Sequence, residues 1–150
     1  MANSYTKIYI HFVFCTKYRE PLIRPEFELR IWKYIGGIAR SNNMNALRVG
    51  GVADHIHALI SIPSTITIAK AIQLIKGGSS KWINDHFFEH RSFRWQKGYG
   101  AFSVSESGVP SVIRYIANQK KHHKTKTFKR EYRALLEKYN VDYDERYVFD

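Results

Sequence analysis

The sequence predicts a single α+β domain, residues 1–150, in which helices cover an antiparallel sheet. Short runs rich in β-branched and aromatic residues alternate with longer segments whose apolar residues recur at helical spacing. The length of 150 residues and a hydrophobic content of 44% match one ordinary globular domain with its own core. We find no internal repeat and no low-complexity tract.

Four strands are predicted from the short apolar runs. The first ends before a turn-like segment at residues 18–21, and the second and third are joined around Asp54. Because so short a connection suits neighbouring strands, these two are expected to form an antiparallel pair. The predicted strands cover residues 6–15, 46–53, 55–62 and 99–105.

Four helices are predicted from the 3.6-residue periodicity and from residues typical of helix ends. They cover residues 25–40, 67–88, 110–123 and 126–139. Gly77 and Gly78 are expected to weaken or kink the second helix, because glycine costs about 1 kcal/mol inside a helix.

The predicted order is strand, helix, strand, strand, helix, strand, followed by extra helices. This is the split βαβ arrangement of ferredoxin-like, RRM-like domains, with helices on one face of the sheet plus C-terminal helices. Such domains serve many functions, so the fold alone does not assign one.

The composition favours an anionic partner. With 24 Lys and Arg against 13 Asp and Glu, the formal charge is +11, which predicts nucleic acid as a partner and leaves a basic soluble enzyme as the alternative. The single cysteine, Cys15, excludes an intrachain disulfide and a cysteine-based zinc site. Without an export signal or an apolar run of about 18 residues, we expect a cytoplasmic protein without membrane contact.

Two motifs carry candidate chemistry. His55 and His57 flank Ile56 on a predicted strand, so both imidazoles leave the same face of the sheet and can converge on one metal ion. Tyr115 and Gln119 are four residues apart on a predicted helix and therefore share a face. Each motif alone is also compatible with a structural or solvated role, and their meaning comes from their combination.

With these motifs in order, the sequence resembles the HUH single-tyrosine transposases of small prokaryotic insertion sequences, including the REP-associated tyrosine transposases. His55-Ile56-His57 corresponds to the His-hydrophobic-His motif, and Tyr115 to Gln119 corresponds to the tyrosine-x-x-x-glutamine motif. The resemblance covers nearly the whole chain. It rests on segments 11–19, 55–63, 76–80, 95–105 and 115–123.

The resemblance implies a metal-dependent strand transfer. Tyr115 would be the nucleophile, and His55, His57 and Gln119 would bind Mg²⁺ or Mn²⁺. The expected product is a 5′-phosphotyrosine and a free 3′-hydroxyl on single-stranded DNA from the hairpin-containing ends of a mobile element. The resemblance also implies a homodimer with shared active sites.

The densest positive region predicts where DNA runs. Eight lysines and arginines lie between Arg114 and Arg133 with one acid, Glu131; beside a DNA-cleaving tyrosine they indicate a backbone track rather than a solvated face. Near the glycine pair, polar residues indicate either a second DNA contact or a helix kink and cap. The candidate DNA-binding residues are Arg114, Lys120, Lys121, Lys124, Lys76 and Ser80.

Other interpretations remain open at this stage. Asp54 is either a turn residue or a hydrogen-bond acceptor that orients a histidine, and His122 is either solvated or near the reacting phosphate. The chain as a whole is alternatively a relaxase or replication initiator of the same superfamily, a domesticated relative, or a non-catalytic nucleic-acid-binding module on the same scaffold.

Overall fold

The computed structural model describes residues 3–150 and contains one four-stranded antiparallel sheet. The strands are β1 (Ile8–Cys15), β2 (Asn45–Val52), β3 (His55–Ile62) and β4 (Gly100–Val104). Their spatial order is β2-β3-β1-β4, and every neighbouring pair is antiparallel. Because β3 lies between β1 and β2, the predicted split βαβ arrangement is confirmed.

In the described part of the chain, five α-helices accompany the sheet. They are α1 (Glu28–Ser41), α2 (Ile68–Phe87), α3 (Val109–Ala117), α4 (Gln119–His122) and α5 (Phe128–Lys138). Among residues 3–150, no helix is both long enough and apolar enough to cross a membrane.

One face of the sheet holds the main apolar core. Most even-numbered residues of β1 and β3 are buried and pack against α1 and α2; Phe12 and Ile56 are fully buried examples. Strand residues alternate between the two faces, so the odd-numbered residues of the same strands point the other way. That second face is covered by α3 and α5, through clusters that include Val13, Ile116 and Tyr132.

Two helices differ from their predicted form. α2 is continuous through Gly77 and Gly78, so the glycine pair does not interrupt the helix. A Cβ on Gly78 would lie 2.9 Å from Cδ1 of Ile38, which shows that this glycine lets α1 approach α2 closely. The helix predicted over residues 110–123 is divided at Asn118, whose φ and ψ of −100° and 19° leave the helical region.

Candidate active site

The histidine pair lies at the beginning of β3, on the face covered by α3 and α5. His55 and His57 are fully buried, and Ile56 between them points into the α1–α2 core, as the alternation predicts. Nε2 of His55 lies 3.0 Å from Oε1 of Gln119, which is itself buried. The structure therefore brings three of the four residues predicted for the site together.

Glu131 of α5 lies at the centre of this group, and the motif analysis missed its role. Its Oε1 lies 3.1 Å from Nε2 of His57 and 3.3 Å from Nε2 of His55. Nε2 of His123 lies 3.0 Å from the same oxygen. Three histidine side chains, two from β3 and one from the residue that follows α4, thus meet around one buried carboxylate of α5.

The sequence contains a signal that could have identified Glu131. Among many lysines and arginines it is a lone acid, and it falls on the apolar face of α5 between Phe128 and Tyr132, both buried. A carboxylate on the buried face of an amphipathic helix requires partners, because burying an unpaired charge is costly. That pattern points to a site rather than to a solvated surface.

Tyr115 of α3 is the fourth predicted residue, and it joins the same group. Its O–H donates a hydrogen bond to Oε2 of Glu131, and Nε2 of Gln119 donates to the same oxygen at 2.9 Å. The phenol ring centroid lies 5.6 Å from that of His57 and 4.9 Å from that of His122. The break at Asn118 therefore leaves Tyr115 and Gln119 facing one point.

Two further side chains orient the histidines from behind. Nδ1 of His55 lies 2.8 Å from Oδ1 of Asp54, and Nδ1 of His57 lies 2.8 Å from Nε2 of His11 on β1. With Nδ1 engaged in this way, Nε2 of each imidazole points into the site, as histidine ligands require. Asp54 is both the turn residue and the histidine partner considered above, whereas the role of His11 was not predicted.

The protonation states follow from burial and from Glu131. Burial opposes the charge of His55, but hydrogen bonds with Asp54 and Glu131 raise its pKa to about 9. Burial lowers the pKa of His57 to about 4. Burial also opposes the charge of Glu131, yet hydrogen bonds from the histidines hold its pKa well below the usual range. The pKa of Tyr115 is raised by burial and by Glu131, so the nucleophile candidate is a neutral phenol.

The donor atoms fit a metal ion. In the described chain, one ligand atom each from His55, His57 and Glu131 lie within 4.8 Å of one another. Ligands at right angles with bonds of about 2.1 Å lie about 3.0 Å apart, close to the separations found between the imidazole and carboxylate atoms. A set of two imidazole nitrogens with carboxylate and amide oxygens suits Mn²⁺ or another transition ion and is less typical of Mg²⁺.

The candidate DNA-binding residues fall into two groups. Arg114, Lys121 and Lys124 are exposed around α3 and α4, and Lys120 is exposed but forms an ion pair with Glu28 of α1. The other two, Lys76 and Ser80 of α2, are half-buried on the opposite side of the sheet from the histidines. The structure therefore does not bring Lys76 and Ser80 to the cluster of His55, His57, Tyr115, Gln119 and Glu131.

Comparisons with known proteins agree with this architecture. Residues 4–119 match the family model described as Transposase IS200 like. The transposase for insertion sequence element IS200 of Salmonella typhimurium is 27% identical over 125 residues, covering 79% of this chain and 81% of that protein. The ISDra2 transposase TnpA of Deinococcus radiodurans is 23% identical over 117 residues, covering 73% of this chain and 81% of its own.

Two solved structures share the fold. A candidate transposase from Deinococcus radiodurans R1 superposes with a TM-score of 0.63 and 23% identity, covering 79% of this chain and 96% of its own. A REP-associated tyrosine transposase bound to a REP hairpin gives a TM-score of 0.59 and 15% identity, covering 82% and 73%. The family match ends at residue 119, so α5 and Glu131 lie beyond it.

Proposed function

Because the chain belongs to the IS200-like transposase family, we propose that it cuts and rejoins single-stranded DNA through a covalent bond to Tyr115. One observation carries the proposal: the Tyr115 phenol shares its carboxylate partner, Glu131, with both histidines and with Gln119. A non-catalytic binding module has no need for a nucleophile beside a set of buried metal-ligand types.

In the proposed reaction, each phosphorus–oxygen bond that breaks is replaced by another that forms. The oxygen of Tyr115 attacks the scissile phosphorus, a tyrosine–phosphorus bond forms, and the bond to the 3′ oxygen breaks to leave a 3′-hydroxyl. A second 3′-hydroxyl reverses the step and joins two strands, so the reaction consumes neither water nor ATP. Because the pKa of Tyr115 is raised, the phenol must lose its proton as it attacks, and the departing 3′ oxygen takes up one proton to become the hydroxyl. The hydrogen bond to Glu131 holds the phenol in position.

We propose that His55, His57, Gln119 and Glu131 hold a divalent ion, Mn²⁺ or Mg²⁺. Bound there, the ion would polarise the scissile phosphate and offset the negative charge that repels an anionic nucleophile. His11 and Asp54 act through the histidines as positioning residues, because each engages an Nδ1 and leaves Nε2 for the ligand role.

The proposed substrate is single-stranded DNA from the hairpin-containing ends of a mobile element. One relative of the same fold has been solved with a REP hairpin, and this chain has a formal charge of +11. Exposed Arg114, Lys121 and Lys124 lie near Tyr115 in sequence and are proposed to contact the DNA backbone. Lys120 belongs to the same proposed track when it leaves Glu28.

Covalent capture tests the proposed function. Wild-type protein incubated with Mn²⁺ and labelled single-stranded DNA carrying a hairpin end should yield an adduct that survives denaturation. Tyr115→Phe removes only the reacting hydroxyl and should abolish the adduct while DNA affinity stays within a few-fold. Tyr34→Phe, on α1 at the opposite face of the sheet, is the matched control and should give normal yield. Normal yield from Tyr115→Phe would remove the assignment.

The site is built within one chain in this structure, whereas the resemblance implies dimers with shared sites. Mixing Tyr115→Phe with a His55→Ala, His57→Ala chain distinguishes the two arrangements. From the contacts within the single chain we expect no adduct, since every site then carries a lesion. An adduct on the chain that retains Tyr115 would instead establish a site shared between two copies.

A further inference from the structure

A groove of about 550 Å³ lies between α2 and the segment at residues 93–99 that precedes β4. Its lining includes the apolar residues Ile72 and Trp95, both buried, and the aromatic ring of Tyr99, which is partly exposed. Ser80 also lines it. This volume lies within the range of small-molecule sites and is large enough for one nucleotide.

The groove is basic and its outer cations are unengaged. Arg94 and Lys97 line it and are exposed, and none of its lining residues is an acid. Within residues 3–150, no hydrogen bond or ion pair engages either of these two side chains. Proteins that bind unpaired nucleic acid combine cationic and aromatic side chains in this way. The cations contact the phosphates, and the bases stack on the aromatic ring.

Lys76 holds the groove in shape. Its Nζ donates to the carbonyl oxygens of Gln96 at 2.6 Å, Lys97 at 3.3 Å and Gly98 at 2.9 Å. Half-buried between α2 and this segment, the ammonium orders the backbone that carries Lys97 and Tyr99. These three hydrogen bonds give Lys76 a positioning role in the groove, whereas the sequence left it open between a second DNA contact and a helix kink and cap.

A second aromatic side chain extends the same surface. Tyr18 borders two hollows that adjoin the groove, one sharing Lys97 with it and the other sharing Arg94. The Tyr18 side chain is 76% exposed, and its φ of 59° is in the left-handed region that a tyrosine rarely adopts. An exposed ring held in an unfavourable backbone conformation is typical of a binding surface.

The groove is linked to the catalytic end of the sheet. The backbone N–H of Gln96 donates to the carbonyl of Cys15. Thr16, the residue after Cys15, donates its own N–H to the carbonyl of Asp54. Asp54 in turn contacts His55. A DNA strand that leaves the groove past Lys17 and Tyr18 therefore runs toward the end of the sheet where the histidines lie.

We propose that this groove binds one unpaired nucleotide of the DNA strand on which Tyr115 acts. The base stacks on Tyr99, the flanking phosphates meet Arg94 and Lys97, and the next base stacks on Tyr18. The nucleotide is unpaired because both faces of a base in a duplex are already covered by its neighbours. The inference rests on the proposed function for the identity of the strand.

Fluorescence anisotropy with a labelled oligothymidylate of about 20 nucleotides tests the charges. The logarithm of the association constant falls as the logarithm of the salt concentration rises. We expect Arg94→Ala with Lys97→Ala to make this fall shallower by about 1.4, at about 0.7 per phosphate contact on a single strand. Lys33→Ala with Arg40→Ala, exposed on α1, removes the same charge elsewhere and is the matched control. Equal salt dependence of the two double variants would overturn the proposal that the groove binds the DNA strand.

Single substitutions test the stacking. Tyr18→Ala and Tyr99→Leu should each weaken single-strand binding about tenfold and leave binding to a duplex of equal length unchanged. Because Tyr99 contacts Phe12, the melting temperature of each variant is measured alongside, and exposed Tyr18 provides the result that is free of packing changes. Equal losses on single strand and duplex would reject a base site.

This inference and the proposed function fail separately. Anisotropy measures binding without cleavage and is repeated in the Tyr115→Phe background. A groove that discriminates single strands in a protein that forms no adduct would support the groove and reject the strand transfer. Normal adduct formation with binding that is insensitive to all groove substitutions would do the opposite.

Discussion

The two faces of this sheet are built from the same strands and differ in what they bury. Toward α1 and α2, β1 and β3 contribute apolar side chains such as Phe12 and Ile60, which pack without polar partners. Toward α3 and α5, the same strands contribute His11, His55 and His57, which are buried equally well. Neighbouring residues of one strand point to opposite faces, so a step of one residue along β1 or β3 leads from the hydrophobic core to the polar cluster.

The difference separates a face that serves stability from the face that holds the proposed active site. Buried polar groups cost free energy unless each is hydrogen-bonded, and an apolar replacement of similar volume often costs nothing. Within the described residues, every buried side-chain nitrogen and oxygen has a partner. The polar cluster is therefore tolerated by the fold through mutual hydrogen bonds and is explained by its chemistry.

The largest expected effect is on the polar face. His57→Ala, or chelation of the wild type, should stop adduct formation and leave DNA affinity within a few-fold, because that affinity rests on basic residues elsewhere. Calorimetric titration should show that His57→Ala binds Mn²⁺ at least tenfold more weakly than the wild type. Even the loss of a residue that only hydrogen-bonds to a metal ligand typically lowers metal affinity by about that factor. Cleavage that is unaffected by chelator would refute the metal site.

On the apolar face the effect should appear in stability. Phe12 is fully buried, so Phe12→Ala should lower the free energy of unfolding by about 3–5 kcal/mol through lost burial and a cavity. Urea unfolding measures the change, and Tyr115→Phe on the other face should change it less, by about 1.5–3 kcal/mol, because the lost hydroxyl donates to a charged carboxylate. A loss below about 1 kcal/mol for Phe12→Ala would contradict the division between the faces.

The smallest effect distinguishes two adjacent glycines of α2. A Cβ on Gly77 meets nothing within 4 Å, whereas one on Gly78 meets Ile38 of α1 at 2.9 Å. Gly77→Ala should therefore stabilise the protein by about 0.5–1 kcal/mol through helix propensity. Gly78→Ala should lack part or all of that gain because the side chain of Ile38 must move away. Thermal unfolding of the matched pair measures both, and equal gains would disprove the close approach of the helices.

Local patterns in the sequence determined most of the elements and half of the site chemistry. Strand alternation placed His55 and His57 on one face, a relation that neighbouring residues impose regardless of the rest of the fold. The spacing of four predicted that Tyr115 and Gln119 share a face, and in the structure they meet at Glu131 although the helix is divided at Asn118 between them. The order of the elements likewise sufficed for the split βαβ arrangement, because short connections limit how strands can pair.

The tertiary structure alone decided how α5 closes the site. Glu131 is 74 residues from His57 in sequence, and His11 is 46 residues from it, so no local pattern relates them. Their contacts depend on how β1 pairs with β3 and on how the apolar face of α5 packs over Val13 and Phe102. The positioning role of Lys76 was not visible in the sequence for the same reason. Its carbonyl partners come from a segment about 20 residues away, which packing brings to α2.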